Sequence, residues 1–91
     1  MAYKLIYAAS AQKDLSKLNR SDTVRILKTL DSISKLPNPM LKAKKLKNFK
    51  QDTYRFRIGD YRALFKKNPT TKILILLVIL RVAHRKEVYQ G

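Results

Sequence analysis

The sequence predicts an α+β domain in which two N-terminal helices pack on a small antiparallel sheet, in the order β-α-α-β-β-β. Three observations support this fold class. Apolar residues recur at helical spacing between residues 11 and 36, and they alternate with arginines between residues 53 and 58. An uninterrupted Ile/Leu/Val run at residues 73–80 is typical of a central strand that is covered on both faces, or nearly so.

Composition and length indicate a single folded domain that spans residues 1–91. Hydrophobic residues make up 45% of the chain, which is enough for a modest core. The chain has no cysteine, so disulfides, thiol catalysis and thiolate metal sites are excluded. The apolar run is too short to span a bilayer, and the N-terminus lacks the features of a signal peptide. We therefore expect a cytoplasmic protein that does not enter a membrane.

The N-terminal half predicts one strand and two helices. Residues 3–7 alternate as a strand does, and Ser10 is expected to cap a first helix. Ser21 is expected to cap a second helix, which Pro37 and Pro39 end. The apolar faces of the two helices are formed by Ala11, Leu15, Leu18, Val24, Ile26, Leu27, Leu30, Ile33 and Leu36.

Residues 40–52 form a basic connector, which we interpret as a loop. Leu46 and Phe49 are expected to attach it to the core. Its lysines are either solvated or extend an anion-binding surface; they are Lys44, Lys45 and Lys47.

Residues 53–65 predict a β-hairpin that turns at Gly59 and Asp60, because glycine suits the first central position of a type II′ turn. A two-residue loop places Arg57 opposite Arg62. One face of the hairpin is then apolar or aromatic and consists of Tyr54, Phe56, Ile58, Tyr61, Ala63 and Phe65. The other face carries Arg55, Arg57, Arg62 and Leu64.

The remaining chain predicts one more strand. Lys66 to Thr71 is interpreted as a turn, and residues 72–81 as the last strand. Residues 82–89 are expected to form a turn of helix or an extended tail.

The charge distribution points to a polyanionic partner. The 21 basic and 6 acidic residues give a net charge of +15, and residues 41–91 hold 14 of the basic side chains. The opposed Arg57 and Arg62 would destabilise a hairpin unless an anion lay between them. They are therefore interpreted either as a phosphate-binding pair or as a solvated face that resists edge aggregation.

Few kinds of chemistry are open to this composition. One histidine, no cysteine and six scattered carboxylates make no metal set, and two glycines build no phosphate loop. We expect no cofactor. RNA cleavage by its own 2′-hydroxyl needs a base, an acid and cations for the crowded phosphate. His84 and Tyr89 are the neutral proton carriers near a basic cluster, although each taken alone is more often structural.

The stretch Tyr54–Arg62, the apolar strand after it and the ending His84–Tyr89 resemble the RelE toxins of toxin–antitoxin pairs. The resemblance spans nearly the whole chain. It implies a small antiparallel sheet with two N-terminal helices and a metal-independent endoribonuclease that cuts mRNA in the ribosomal A site. It also implies an acidic RelB-like antitoxin that wraps around the toxin in a hetero-oligomer.

The resemblance also implies roles for individual residues. Arg62 falls where the family has an arginine for the transition-state phosphate, and Arg85 at a basic position for phosphate binding or leaving-group protonation. Tyr89 falls at the C-terminal tyrosine that stacks on a base or assists proton transfer. Some members have a lysine where this chain has Arg55 or Arg57; because arginine is a poor base, that role shifts to Tyr89 or His84. The expected RNA-binding residues are Arg55, Arg57, Lys44, Lys45, Lys47 and Arg81.

Two alternatives remain open at this stage. The related ParE toxins share the fold but poison DNA gyrase, and they lack the set formed by Arg62, Arg85 and Tyr89. A basic RNA- or ribosome-binding module without catalysis would show steeply salt-dependent binding and no cleavage.

Overall fold

The computed structural model describes residues 2–47 and 52–88, and Val88 only in its backbone. The elements in chain order are β1 (Ala2–Tyr7), α1 (Ala9–Ser16), α2 (Arg20–Ser34), a 3₁₀ turn (Pro39–Lys42), β2 (Ala43–Leu46), β3 (Thr53–Ile58), β4 (Tyr61–Pro69), β5 (Leu74–His84) and α3 (Arg85–Val88). The strands form one sheet in the order β1-β5-β4-β3-β2. The α+β class is confirmed.

The predicted topology, with four strands in an antiparallel sheet, is wrong in two respects. The connector contains a strand, β2, which pairs antiparallel with β3 and places Lys44 opposite Arg55. The sequence of β2 shows no alternation of apolar and polar residues that would predict a strand. It becomes a strand because its backbone hydrogen-bonds to β3, which would otherwise be the edge of the sheet. In addition, β1 pairs parallel with β5, so the sheet is mixed. Alternation within β1 predicts its faces but carries no information about its direction.

The hairpin prediction is confirmed in its register. Arg57 pairs with Arg62 and Ile58 with Tyr61 across the Gly59-Asp60 turn. Gly59 has φ of +58°, the left-handed region that the turn requires.

The end of the hairpin is longer than expected. β4 continues to Pro69, so the turn predicted at Lys66 to Thr71 is wrong. The reversal lies at residues 70–73, where the Thr71 hydroxyl oxygen accepts hydrogen bonds from the N–H groups of Ile73 and Leu74. The extended pairing with β5, up to Pro69 opposite Ile75, supplies backbone partners that local turn chemistry does not anticipate.

One face of the sheet packs under the helices and forms the core. Phe56, Phe65, Leu77 and Ile79 are fully buried there, with Ile26 of α2 above them. From Leu74 to Leu80, β5 alternates between buried residues on the helix side and half-buried residues on the other side, and none of these residues is exposed. This agrees with the prediction of a central strand that is covered on both faces, or nearly so. The side of the sheet away from the helices is called the open face below.

The helices differ from prediction at their N-termini. Asn19, not Ser21, caps α2, and its side-chain oxygen accepts the N–H of Asp22. Ala8 stands at the N-cap of α1 and no side chain caps that helix, so the predicted role of Ser10 is wrong. In each case the helix begins earlier in the chain than the serine that was predicted to cap it.

The apolar face of α2 is narrower than predicted. Ile26 and Leu30 are buried, whereas Val24 and Leu27 are each more than a third exposed. A 3.6-residue period turns these two side chains away from a sheet that one stripe already covers. Leu36, which was predicted to lie on the same face, follows the end of α2 and is also more than a third exposed. Within the described ranges, no helix is long and apolar enough to cross a membrane.

Candidate nucleic-acid interface

Basic side chains are brought together on the open face by the strand register. Lys44, Arg55 and Leu64 are neighbours in one row across β2, β3 and β4. Arg57 and Arg62 lie in the next row, which ends at Ala83 on β5. Since directly paired residues share a face, these cations and the core residues lie on opposite sides of the sheet. We call this set, Lys44, Arg55, Arg57 and Arg62, the basic half of the open face.

Arg62 is the buried member of the set. Its side chain is 6% exposed, and its Nη1 donates to the carbonyl oxygens of Gly59 and Tyr61, each at 2.9 Å. Its Nε is buried and makes no hydrogen bond to the described residues. A phosphate contact from Arg62 would therefore come from Nη2. The two carbonyl oxygens stabilise the positive charge of Arg62. The repulsion between Arg62 and the opposite Arg57 is therefore offset without an anion between the two guanidinium groups.

Arg85 lies at the same turn. Its backbone N–H donates to the carbonyl oxygen of Asp60 at 2.7 Å, and its Nε is 3.7 Å from the Asp60 carboxylate. The side chain is 52% exposed. The Gly59-Asp60 turn thus contacts both residues, Arg62 through its side chain and Arg85 through its backbone N–H and its Nε.

His84 lies on the opposite side of the sheet. It pairs with Tyr61 in the core-side row, and the two rings meet edge to face at a centroid distance of 5.7 Å. Its Nδ1 accepts the N–H of Lys86. The ring lines a cavity of about 480 Å³ next to α1, together with Asp14. His84 is therefore separated from the basic half.

Tyr61 is held in its protonated form. Its hydroxyl donates to the carboxylate of Asp22 at 3.0 Å. That hydrogen bond, and burial after it, raises the pKa of Tyr61. A tyrosine with a raised pKa is a weaker candidate for a general base near neutral pH.

Arg81 is engaged by α1. Its Nε and Nη2 donate to the two oxygens of Asp14 at 2.8 and 3.0 Å, a bidentate pair. Asp14 also accepts the backbone N–H of Val82. Burial alone raises the pKa of Asp14, but these hydrogen bonds outweigh it and lower the pKa. The carboxylate thus fastens α1 to the edge of β5, and Arg81 is less available to RNA than predicted.

The other predicted lysines lie outside the basic half. Lys45 pairs with Tyr54 in the core-side row and forms an ion pair with Asp52 at 3.2 Å. Lys47 is exposed just after β2. Tyr89 and Phe49 lie outside the described residues, so their predicted roles remain predictions.

Two basic residues near the site were not predicted. Arg25 of α2 places its Nη2 3.6 Å from where a Cβ of Gly59 would stand, and it is paired with Asp22. Lys66 pairs with Val78 on the open face. The only sequence signal for Arg25 is its spacing of three residues from Asp22 on a helix. Lys66 was missed because residues 66–71 were interpreted as a turn and not as part of a strand. Among the described residues, no group of three or more His, Cys, Asp or Glu could hold a metal.

The fold is that of the small toxins of type II toxin–antitoxin pairs. The model of one family, the ParE toxin of the type II toxin–antitoxin system parDE, matches residues 5–89. The chain therefore belongs to the ParE toxin family, within the RelE/ParE superfamily of toxins. The comparison with curated proteins gives no match.

Solved structures similar to the chain are toxin–antitoxin complexes. The RelBE2 complex from Mycobacterium tuberculosis has a chain 27% identical, with a TM-score of 0.77 over 93% of this chain and 100% of that one. A chain of the RelE–RelB complex from Pyrococcus horikoshii OT3 is 29% identical, with a TM-score of 0.68 over 96% and 99%. A chain of the E. coli RelBE complex, at 21% identity, a TM-score of 0.61 and coverage of 91% and 96%, shares the fold.

Proposed function

We infer that this toxin is a metal-independent endoribonuclease that cleaves mRNA in the ribosomal A site. The observation that carries the proposal is the row of cations on the open face, which meets Arg85 at the Gly59-Asp60 turn. Guanidinium groups on adjacent strand positions of one face are about 7 Å apart, a spacing that suits successive phosphates. The likeness to RelE chains from two organisms supports the same function.

The proposed chemistry uses the nucleophile that RNA itself carries. A base takes the proton of the 2′-hydroxyl, and its oxygen attacks the adjacent phosphorus. The bond to the 5′-oxygen breaks, that oxygen takes up a proton from an acid, and a 2′,3′-cyclic phosphate forms. Arg57 and Arg85, both exposed, stabilise the charge that develops on the phosphate oxygens. Arg62 holds the turn that carries Arg85 and can offer Nη2 to the same phosphate.

Tyr89 is the residue we propose for proton transfer. It follows α3 in the sequence, five residues after β5 ends, and tyrosine is one of the side chains that can act as a general acid or base. His84 is the weaker candidate, because its ring lies on the helix side of the sheet. Arg55, Lys44 and Lys47 are proposed to bind RNA beyond the cleaved linkage.

The partner we propose is an acidic RelB-like antitoxin in a hetero-oligomer in the cytoplasm. The net charge of +15 supports a partner of opposite sign. The similar structures are complexes of RelE with RelB.

Primer extension on a translated message after induced expression tests the proposal. We expect mapped cuts within codons that appear only when the message is translated, and none with Arg85→Ala. Intact message during growth arrest would overturn the nuclease.

A gyrase poison is the second candidate, and the match to the ParE family favours it. In that case the message stays intact, DNA is damaged, and purified gyrase loses supercoiling activity in the presence of the toxin. Salt-dependent RNA binding without either effect would instead indicate a basic RNA- or ribosome-binding module.

A further inference from the structure

The only histidine in the sequence, His84, lies at the junction between β5 and α3. It is the last residue of β5, and α3 begins at the next residue, Arg85. Its Nδ1 accepts the backbone N–H of Lys86, the second residue of the helix, at 3.2 Å. A side chain that stands just before a helix and accepts this N–H occupies the position of an N-cap. His84 therefore caps α3.

The bonds at its first turn decide whether α3 forms. The helix spans only Arg85–Val88, and a single turn of helix is not stable by itself. Its first two N–H groups both have partners outside the helix. The N–H of Arg85 donates to the carbonyl oxygen of Asp60 at 2.7 Å, and that of Lys86 donates to His84. The backbone conformation of Arg85, and hence the direction of its guanidinium group, depends on these two bonds.

The imidazole ring is held from the helix side of the sheet. The ring of Tyr61 meets it edge to face at a centroid distance of 5.7 Å. Tyr61 is itself held by α2, because its hydroxyl donates to the carboxylate of Asp22 at 3.0 Å. These contacts restrict the ring to the orientation in which Nδ1 faces the N–H of Lys86.

The cap requires an uncharged imidazole. A neutral ring can accept a hydrogen bond at one nitrogen, whereas both nitrogens of the imidazolium carry a hydrogen and neither can accept. A histidine ordinarily changes its charge between about pH 5 and about pH 8. A positive charge beside the first N–H groups of a helix is also unfavourable. Proton uptake by the ring thus removes the cap.

The charged groups around the ring are of both signs. The ring lines a cavity of about 480 Å³ whose other ionisable residues are Asp14 and Lys17 of α1, Tyr61 of β4, Arg81 of β5 and Glu87 of α3. Asp14 is engaged by Arg81 in a bidentate pair. Two carboxylates and two cations therefore face the ring, and no net charge in the cavity excludes either form of the imidazole.

We propose that His84 is a positioning residue whose neutral imidazole caps α3 and fixes Arg85, and that proton uptake by the ring releases α3. The effect on cleavage rests on the proposed function, whereas the cap itself does not. His84 acts on the reaction only through the helix, and the residue proposed for proton transfer, Tyr89, follows that helix directly in the sequence. Cleavage should therefore weaken as the pH falls toward about 5.

The ¹³Cα chemical shifts of residues 85–87 report helical conformation and test the cap without a measurement of activity. In the wild-type chain we expect helical shifts at about pH 8 that disappear toward about pH 5, with the midpoint of the titration of the His84 ring protons. His84→Asn should keep helical shifts at both pH values, because asparagine is a strong N-cap whose oxygen does not titrate. His84→Leu, which has no acceptor, should show them at neither.

Glu87→Gln is the matched control, because it removes a carboxylate of the same cavity and leaves the cap in place. It should keep the wild-type pH dependence. A loss of this dependence in Glu87→Gln would assign the change to Glu87 and overturn the proposal. Helical shifts of the wild-type chain that are equal at both pH values would overturn it as well, and this result needs no substituted chain to fold.

Single-turnover cleavage on programmed ribosomes separates positioning from proton transfer by His84. We expect the rate of His84→Asn relative to wild type to rise from about 1 at about pH 7.5 to about 5 at about pH 5.5, and His84→Leu to be about fivefold slower than wild type at the higher pH. If His84→Asn is as inactive as His84→Leu at both pH values, the imidazole takes part in the reaction and the positioning role is refuted. A wild-type chain that shows the expected chemical shifts but cuts no message would refute the nuclease and leave the cap standing.

Discussion

At the scale of single residues, Arg62 and Arg85 share one turn but stand in different environments. Arg62 is buried and donates to two backbone carbonyls, whereas the Arg85 side chain is half exposed beside Asp60. The first guanidinium therefore stabilises the hairpin, and the second is free to move toward a ligand. Substitution of each should consequently affect different measurements.

We expect Arg62→Ala to lower the free energy of unfolding by about 1–3 kcal/mol. The reason is that two carbonyls near a buried position lose their donor. Urea denaturation measures the effect. Arg57→Ala is the control, because this exposed residue on the opposite strand should cost less than about 0.5 kcal/mol. Equal stability losses in the two variants would show that the turn bonds contribute nothing.

We expect Arg85→Ala to leave stability nearly unchanged and to lower the cleavage rate about 10²–10³-fold, equivalent to about 2.7–4 kcal/mol of transition-state stabilisation. The backbone N–H bond to Asp60 survives the substitution. Single-turnover cleavage on programmed ribosomes measures it. Lys86→Ala removes the next positive charge and should be near wild type; equally inactive variants would indicate loss of general charge only.

At the scale of elements, the Gly59-Asp60 turn sets the geometry of the site. Gly59 has φ of +58°, and Arg25 lies at ordinary contact distance from the position of a Cβ. A side chain at position 59 would therefore be destabilising because of the positive φ, and not because of a steric clash with Arg25.

Gly59→Ala should lower the free energy of unfolding by about 1–2 kcal/mol, because alanine disfavours the left-handed region. Gly59→Asn should lose less, since asparagine tolerates that conformation. Thermal denaturation of both variants makes the comparison, and an alanine variant as stable as the asparagine variant would contradict it.

The contact between α1 and the edge of β5 should depend on pH through Asp14. Its pKa is lowered in the folded protein, so its contribution is fully present above the usual aspartate pKa of about 3.9. The contribution is lost as pH falls through the lower folded value. Asp14→Asn should therefore destabilise the protein at pH 7 more than at pH 2.5, as measured by urea denaturation. Asp31→Asn, in an exposed pair with Lys35, should show little of this dependence.

At the scale of the whole molecule, charge and apolar surface divide the open face. The basic half spans β2–β4, and apolar side chains, among them Ile6, Leu76 and Val78, lie on the part formed by β1 and β5. A net charge of +15 attracts polyanions to much of the surface, so the salt dependence of RNA binding must be compared between matched sites.

We expect Arg57→Gln to reduce the salt dependence of single-stranded RNA binding, with the slope of log K against log[salt] becoming shallower by about 0.7. Lys28→Gln removes the same charge from α2, which lies on the other side of the sheet, and should leave the slope unchanged. Filter binding between low and moderate salt measures both. Identical slopes would mean that RNA has no preference for the open face.

The features predicted correctly from the sequence are those that depend on residues close together in the chain. The hairpin register and its two faces were predicted correctly, because a glycine turn and a two-residue period are local signals. The parallel pairing of β1 was missed, since its partner β5 lies near the other end of the chain. The edge strand β2 was missed because its lysine-rich sequence shows no alternation, although its partner β3 is the next strand. At the site, the separation of His84 from the basic half was not predicted, because local alternation does not say on which side of the sheet a residue near a strand end lies.

The sequence by itself determined the α+β class, the two helices, the hairpin and the excess of positive charge, because composition and periodicity act over neighbouring residues. Only the tertiary structure decided which cations share a face. It also decided that Arg62 binds carbonyls and that Asp14 engages Arg81, contacts across three and 67 positions of the chain. Such contacts form only when strands and helices are placed beside each other, and burial then determines whether a charged group binds the protein itself or remains available to a ligand.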